Sequence, residues 1–201
     1  MTLRTIAVIG ADSTGAAIAS LAASAGYKTV LEDVSEERLH TAMASIVHNL
    51  GEAASSGNAP DSSALVSATS NLSIAATVEE AIREADLIID TLADEEEMKL
   101  ELFTIFDKFS RPHAILASTG FLPIGDLASI TFCADRCIGM RFGQDIAAST
   151  TVDLIPGPKT SRETISACSE AMHCMGKEVR ILDDSNREDP LPPPARKGAN
   201  G

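Results

Sequence analysis

Short apolar runs alternate with longer stretches in which apolar residues recur every three or four positions. Runs such as Ile6-Ala7-Val8-Ile9 and Leu87-Ile88-Ile89 are too short for helices and carry no polar alternation, which is the pattern of strands buried on both faces. The pattern predicts strands at 3–9, 28–33, 72–75, 86–91, 113–118, 136–142, 150–156 and 178–182. Helices are predicted at 14–25, 35–55, 78–84, 95–108, 123–129 and 161–175. The early βαβαβ rhythm predicts an α/β fold of Rossmann type: one domain (1–182) with a doubly wound, mainly parallel sheet and helices on both faces. The last strands follow short loops, so they are expected to be partly antiparallel. Segment 51–70 is small, polar and turn-rich and reads as a loop or a short helical excursion. Residues 183–201, with Pro190 and Pro192 to Pro194, read as a disordered tail.

Composition supports this and narrows the partners. With 201 residues and 44% hydrophobic content the chain can bury one full core. Aromatics make up 3% and Trp is absent, so that core must rest on Ile, Leu, Val and Ala. A net charge of −13 argues against nucleic acid or an anionic membrane as a general partner. No run reaches the ~20 apolar residues of a membrane span, and the start lacks the features of a signal peptide. The expected location is therefore cytoplasmic. Cys133, Cys137, Cys168 and Cys174 form no C-x-x-C pair and read as free thiols, with no metal site.

The candidate chemistry begins at the first strand's end. Gly10 and Gly15 are the outer glycines of a G-x-G-x-x-G turn, which allow the tight bend and the close packing of helix on strand. Asp33 ends the second strand, where an acid accepts hydrogen bonds from the adenosine ribose, and no Arg follows it immediately to take a 2′-phosphate. The pattern points to NAD rather than NADP. The middle glycine is Asp12, a carboxylate where the pyrophosphate needs close approach. Asp12 is well suited to cap the next helix through the amide of Thr14 or Gly15. NAD binding is therefore expected to be weakened or lost.

From Ile6 to Leu182 the chain resembles the N-terminal NAD-binding domain of L-3-hydroxyacyl-CoA dehydrogenases. The resemblance is carried in order by "LAASAGYKTVLEDVSEERL" (21–39), "DLIIDTLADEEEMKLELF" (86–103), "RPHAILASTGFLPIGDLA" (111–128), "DRCIGMRFG" (135–143) and "VDLIPGPKTSRETI" (152–165). It implies ribose binding by Asp33, a nicotinamide-ribose contact at Asp94, and a cofactor-reaching lysine at Lys99. Read from the residues alone, Asp94 to Glu97 could be acids favoured at a helix N-terminus, and Lys99 an i,i+4 partner of Glu95.

At the reacting centre the chain departs from the family. The catalytic His of an H-F-F-N-P stretch corresponds to Arg141 in Arg141-Phe142-Gly143-Gln144-Asp145, with Gln144 where Asn is expected. Arg stays protonated and cannot take the alcohol proton as hydride leaves. The Glu that orients the histidine corresponds to Asp153. The family's substrate-contacting serine turn has become Ser118-Thr119-Gly120-Phe121, one residue shorter. His40, His48, His113 and His173 lie on predicted helices or at a strand's start, so none replaces the base. No Lys or Arg stands between Arg38 and Arg83, where basic side chains would hold coenzyme A phosphates. The family's helical C-terminal domain has no counterpart after Leu182, so a partner protein or a second copy is expected to cover an open cleft.

Three functional expectations follow. In the first the chain is catalytically degenerate for hydride transfer and serves as a regulatory or partner-dependent subunit. In the second it is a divergent NAD-dependent oxidoreductase acting on a hydroxy or keto acid, or on a carrier-bound acyl group, with Arg141 holding a carboxylate or polarising a carbonyl and Asp153 or a water moving the proton. In the third it is a non-redox cyclase or lyase using an Arg141/Asp153 pocket.

Overall fold

The structure, a computed structural model, describes residues 2–55 and 62–183. Its elements are β1 (Thr5–Ile9), α1 (Ser13–Ser24), β2 (Lys28–Glu32), α2 (Glu36–Ser55), α3 (Ser62–Ser70), β3 (Leu72–Ala75), α4 (Val78–Ile82), β4 (Leu87–Asp90), α5 (Glu96–Phe109), β5 (Ile115–Ser118), α6 (Ile124–Ser129), a 3₁₀ turn (Ala134–Arg136), β6 (Cys137–Phe142), β7 (Thr151–Pro156), α7 (Arg162–Cys174) and β8 (Glu178–Ile181). The eight strands form one sheet in the order β3-β2-β1-β4-β5-β6-β7-β8. Every pair is parallel except β6–β7, so the expected late antiparallel pairing lies at that step.

Strand side chains alternate between two cores, one on each face of the sheet. Ile6, Val8, Leu87, Ile89, Ile115, Ala117, Ile138 and Met140 pack with α1, α2 and α7. Ala7, Ile9, Ile88, Leu116 and Cys137 pack with α4, α5 and α6. Burial on both faces explains why β4 and β5 have no exposed position, whereas the edge strands β3 and β8 do. Segment 51–70 resolves into the end of α2 and the separate helix α3, more helical than expected. Residues 56–61 and the expected proline-rich tail beyond Asp183 lie outside the described residues. All four cysteines are free thiols.

The alternation also decides where polar groups point. Asp90 and Ser118 are paired across β4–β5 and occupy positions in step with Ile88 and Leu116, facing α5. Arg141, Asp153 and Arg180 form one row across β6, β7 and β8. Asp90, Ser118 and Arg141 lie toward the carboxyl ends of parallel strands, the edge at which open α/β sheets place their sites.

Candidate functional site

The turn from β1 to α1 is held by its outer glycines. Gly10 has φ +107°, and a Cβ there would lie 2.5 Å from Thr91 Oγ1; a Cβ on Gly15 would lie 1.8 Å from the Gly10 carbonyl oxygen. Asp12 has ordinary extended backbone (φ −74°, ψ −173°), and its Oδ1 accepts from the Gly15 amide at 2.9 Å. The expected self-capping is thus present, with Gly15 as the partner. The Ala11 amide is also engaged, donating to Asp33 Oδ2 at 2.9 Å. Two donors of the loop are therefore satisfied by the chain's own carboxylates.

Asp33 is buried at the sheet's carboxyl edge. Besides Ala11 it accepts from the Ser35 amide (2.8 Å) and pairs with Arg38 at 2.9 Å. Val34 beside it is exposed and leaves an apolar surface at the end of β2. A groove of about 630 Å³ runs between α1 and α2 from Asp12 and Arg38 to Ile46 and Asn49. Among the described residues that line it Arg38 is the one cation, and it is already paired with Asp33. The adenosine end thus fits a dinucleotide, while the pyrophosphate end carries a carboxylate.

Burial raises the Glu32 carboxyl to about 7, reinforced by the Asp33 and Glu79 carboxylates. Glu32 has no counterpart in the sequence reading, because nothing local marks a strand-end acid as buried.

A second cluster gathers Lys99, Asp94 and Ser118 around Asp90. Lys99 is fully buried, with its ammonium 2.5 Å from Asp90 Oδ2, 3.4 Å from Ser118 Oγ and 3.8 Å from Asp94 Oδ1. Its ammonium therefore turns toward Asp90 and Ser118 and not toward Glu95. Ser118 donates to Asp90 Oδ2 at 2.9 Å and is itself buried. Asp94 accepts from the Phe121 amide, and a Cβ on Gly120 would collide with its Oδ1 at 2.1 Å. The shortened 118–121 turn is thereby pinned over Asp94. Asp90, the acid that organises this cluster, was missed; its signal was a charge ending an otherwise apolar strand.

At the reacting centre the Arg141 guanidinium lies over the Phe121 ring, 4.6 Å from its centroid. Its Nε is buried and has no hydrogen-bond partner. Asp153 stands opposite in register, yet both its oxygens accept from Arg180, at 2.6 Å from Nε and 2.8 Å from Nη2. The two residues of the expected Arg141/Asp153 pocket are thus neighbours across β6–β7, and Asp153 is engaged by Arg180, which parallel β8 brings alongside. Gln144 is exposed on the following loop. That loop is held by Lys177, whose ammonium donates to the carbonyls of Ile146 (2.6 Å) and Ser149 (2.5 Å). His113 sits at the opposite sheet edge beside Asp86 (3.1 Å), and His40, His48 and His173 are exposed on α2 and α7. Among the described residues no histidine lies at the carboxyl edge.

A doubly wound sheet with a glycine turn at β1–α1 and an acid ending β2 defines the dinucleotide-binding class of α/β domains. The chain belongs to the 3-hydroxyacyl-CoA dehydrogenase family: residues 5–185 match its description "3-hydroxyacyl-CoA dehydrogenase, NAD binding domain". A probable 3-hydroxybutyryl-CoA dehydrogenase of Bacillus subtilis is 33% identical over 92% of this chain and 64% of its own length. The 3-hydroxybutyryl-CoA dehydrogenase of Bradyrhizobium diazoefficiens is 34% identical over 90% and 62%. The crystal structure of an Escherichia coli 3-hydroxybutyryl-CoA dehydrogenase superposes with TM-score 0.87 at 25% identity, over 92% of this chain and 39% of that one. The chain thus spans less than two thirds of these relatives. Among the described residues no helix is long and apolar enough to cross a membrane.

Proposed function

We propose that this chain keeps the family's NAD-binding fold but does not dehydrogenate hydroxyacyl-CoA by the histidine-base route, and that it works as a regulatory or partner-dependent subunit. The observation that carries this reading is Arg141. It occupies the position where a base is needed, remains protonated at any ordinary pH, and has no histidine near it. Two further features support the reading: Asp12 places a negative charge in the phosphate seat, and Arg180 already engages both oxygens of Asp153. With a carboxylate at its pyrophosphate end, the cofactor seat is expected to hold NAD weakly. Of the chain's own residues Arg141 is the one placed to bind and orient, and a guanidinium does not accept the alcohol proton.

The test uses the thioester in the names of its relatives. The purified chain is mixed with 3-hydroxybutyryl-CoA and NAD⁺, and NADH absorbance is followed. No NADH above background is expected, since loss of a positioned base alone costs about 10²–10⁴-fold in rate. NADH formation proportional to protein concentration would overturn the proposal.

One observation favours a second reading, in which the site is still enzymatic and acts on a carboxylate-bearing hydroxy or keto acid: Arg141 has a buried N–H without an acceptor. The non-redox cyclase or lyase reading has less support, because it needs Asp153 as an acid or base beside Arg141.

A further inference from the structure

A guanidinium that is always charged, partly buried and without a carboxylate partner is costly to keep in a folded chain. A buried unsatisfied donor costs about 1–3 kcal/mol, and more when the group is charged. Arg141 carries such a donor at Nε, and no carboxylate among the described residues pairs with it. Its neighbour in register, Asp153, is held by Arg180 instead. The aromatic face of Phe121, itself half-exposed, positions the guanidinium by cation–π contact without supplying an acceptor. Everything that holds Arg141 leaves its acceptor to come from elsewhere.

We propose that Arg141 is a ligand-binding residue, and that its ligand is a small free carboxylic acid of the 3-oxo or 3-hydroxy class rather than a CoA thioester. This deepens the reading above, in which Arg141 has replaced the base, and rests on it. The Nε and Nη edge of a guanidinium matches the two oxygens of a carboxylate. The ligand's charge is set by the surroundings. Arg141 has no carboxylate partner among the described residues, and the Asp94 carboxylate holds the Phe121 amide nearby. A monoanion balances that single charge, whereas a phosphate dianion would add repulsion. Thioesters are disfavoured from the other direction: a thioester has no carboxylate to offer, and positions 39–82 contain no Lys or Arg for coenzyme A phosphates.

The experiment is isothermal calorimetry with acetoacetate and 3-hydroxybutyrate, against methyl acetoacetate and acetoacetyl-CoA. The parent chain is compared with Arg141→Gln and Arg141→Lys, with folding checked by circular dichroism. The free acids are expected to bind at least tenfold tighter than the ester. Arg141→Gln is expected to lose about tenfold to a hundredfold, with partial recovery in Arg141→Lys. Equal binding of acid and ester by the parent overturns the inference, as does unchanged binding in Arg141→Gln or a preference for the thioester. Should both variants misfold, the parent's acid-to-ester ratio still decides. A chain that binds no acid and forms no NADH from the thioester sinks this inference alone. NADH formation sinks the reading beneath it.

Discussion

Asp12 offers the sharpest perturbation, because its two effects can be separated by two substitutions. Its Oδ1 lies 2.9 Å from the Gly15 amide, where a pyrophosphate oxygen would accept the same hydrogen bond. Two like unit charges at about 4 Å repel by about 1 kcal/mol in water and about 4 kcal/mol near a protein surface. Asp12 is exposed, so about 2–3 kcal/mol is the appropriate range, corresponding to roughly 30–150-fold in affinity. Asp12→Gly removes both charge and volume and costs the helix cap only a few tenths of a kcal/mol. Asp12→Asn keeps the cap and the volume but removes the charge. Titration of NADH, followed by its own fluorescence in a chain without Trp, is expected to give weak binding by the parent. Binding should be recovered in full by Asp12→Gly and in part by Asp12→Asn. Melting temperatures should stay within a few degrees of the parent. If the parent binds at low micromolar concentration and neither variant improves on it, self-capping does not govern the seat.

Two predictions concern stability. Lys99→Met leaves Asp90 as an uncompensated buried charge and should cost about 3–5 kcal/mol in urea unfolding, most of it recovered in the Asp90→Leu/Lys99→Met double variant; a single variant as stable as the parent would show the pair to be dispensable. Glu32, 2% exposed, is raised by burial to about 7, so the folded chain holds a proton that the unfolded chain releases near 4.5. Its contribution is present below about 4.5 and is lost as pH rises toward and through 7, on the order of 3 kcal/mol in all. Glu32→Gln should flatten that part of the stability–pH curve, and an unchanged slope would refute the assignment.

The strands were readable because continuous apolar runs such as Leu87-Ile88-Ile89 have no other place than a sheet covered on both sides. The Asp12 cap was readable too, since a capping bond joins residues three apart and needs no tertiary information. The partners of Lys99 and Asp153 were not readable. Lys99 meets Asp90 only because α5 packs over the face to which the strand alternation points Asp90. Asp153 meets Arg180 only through the β7–β8 register. Phe121 reaches Arg141 because Asp94 pins its backbone, a contact spanning 27 residues. Family resemblance assigns residues to positions, but it does not say which neighbour a side chain chooses once the partners around it have changed.

The contact between Gly15 and the Gly10 carbonyl changes how such a turn should be read in any chain. A methyl group at Gly15 would overlap that oxygen whether or not a nucleotide is ever present. The outer glycines are therefore demanded by the polypeptide folding on itself, and their presence carries no news about a ligand. The middle position answers to no such internal demand, for Asp12 sits there in relaxed backbone, exposed to solvent. In a three-glycine signature of this geometry, the middle letter alone reports whether the seat is still kept open for a phosphate.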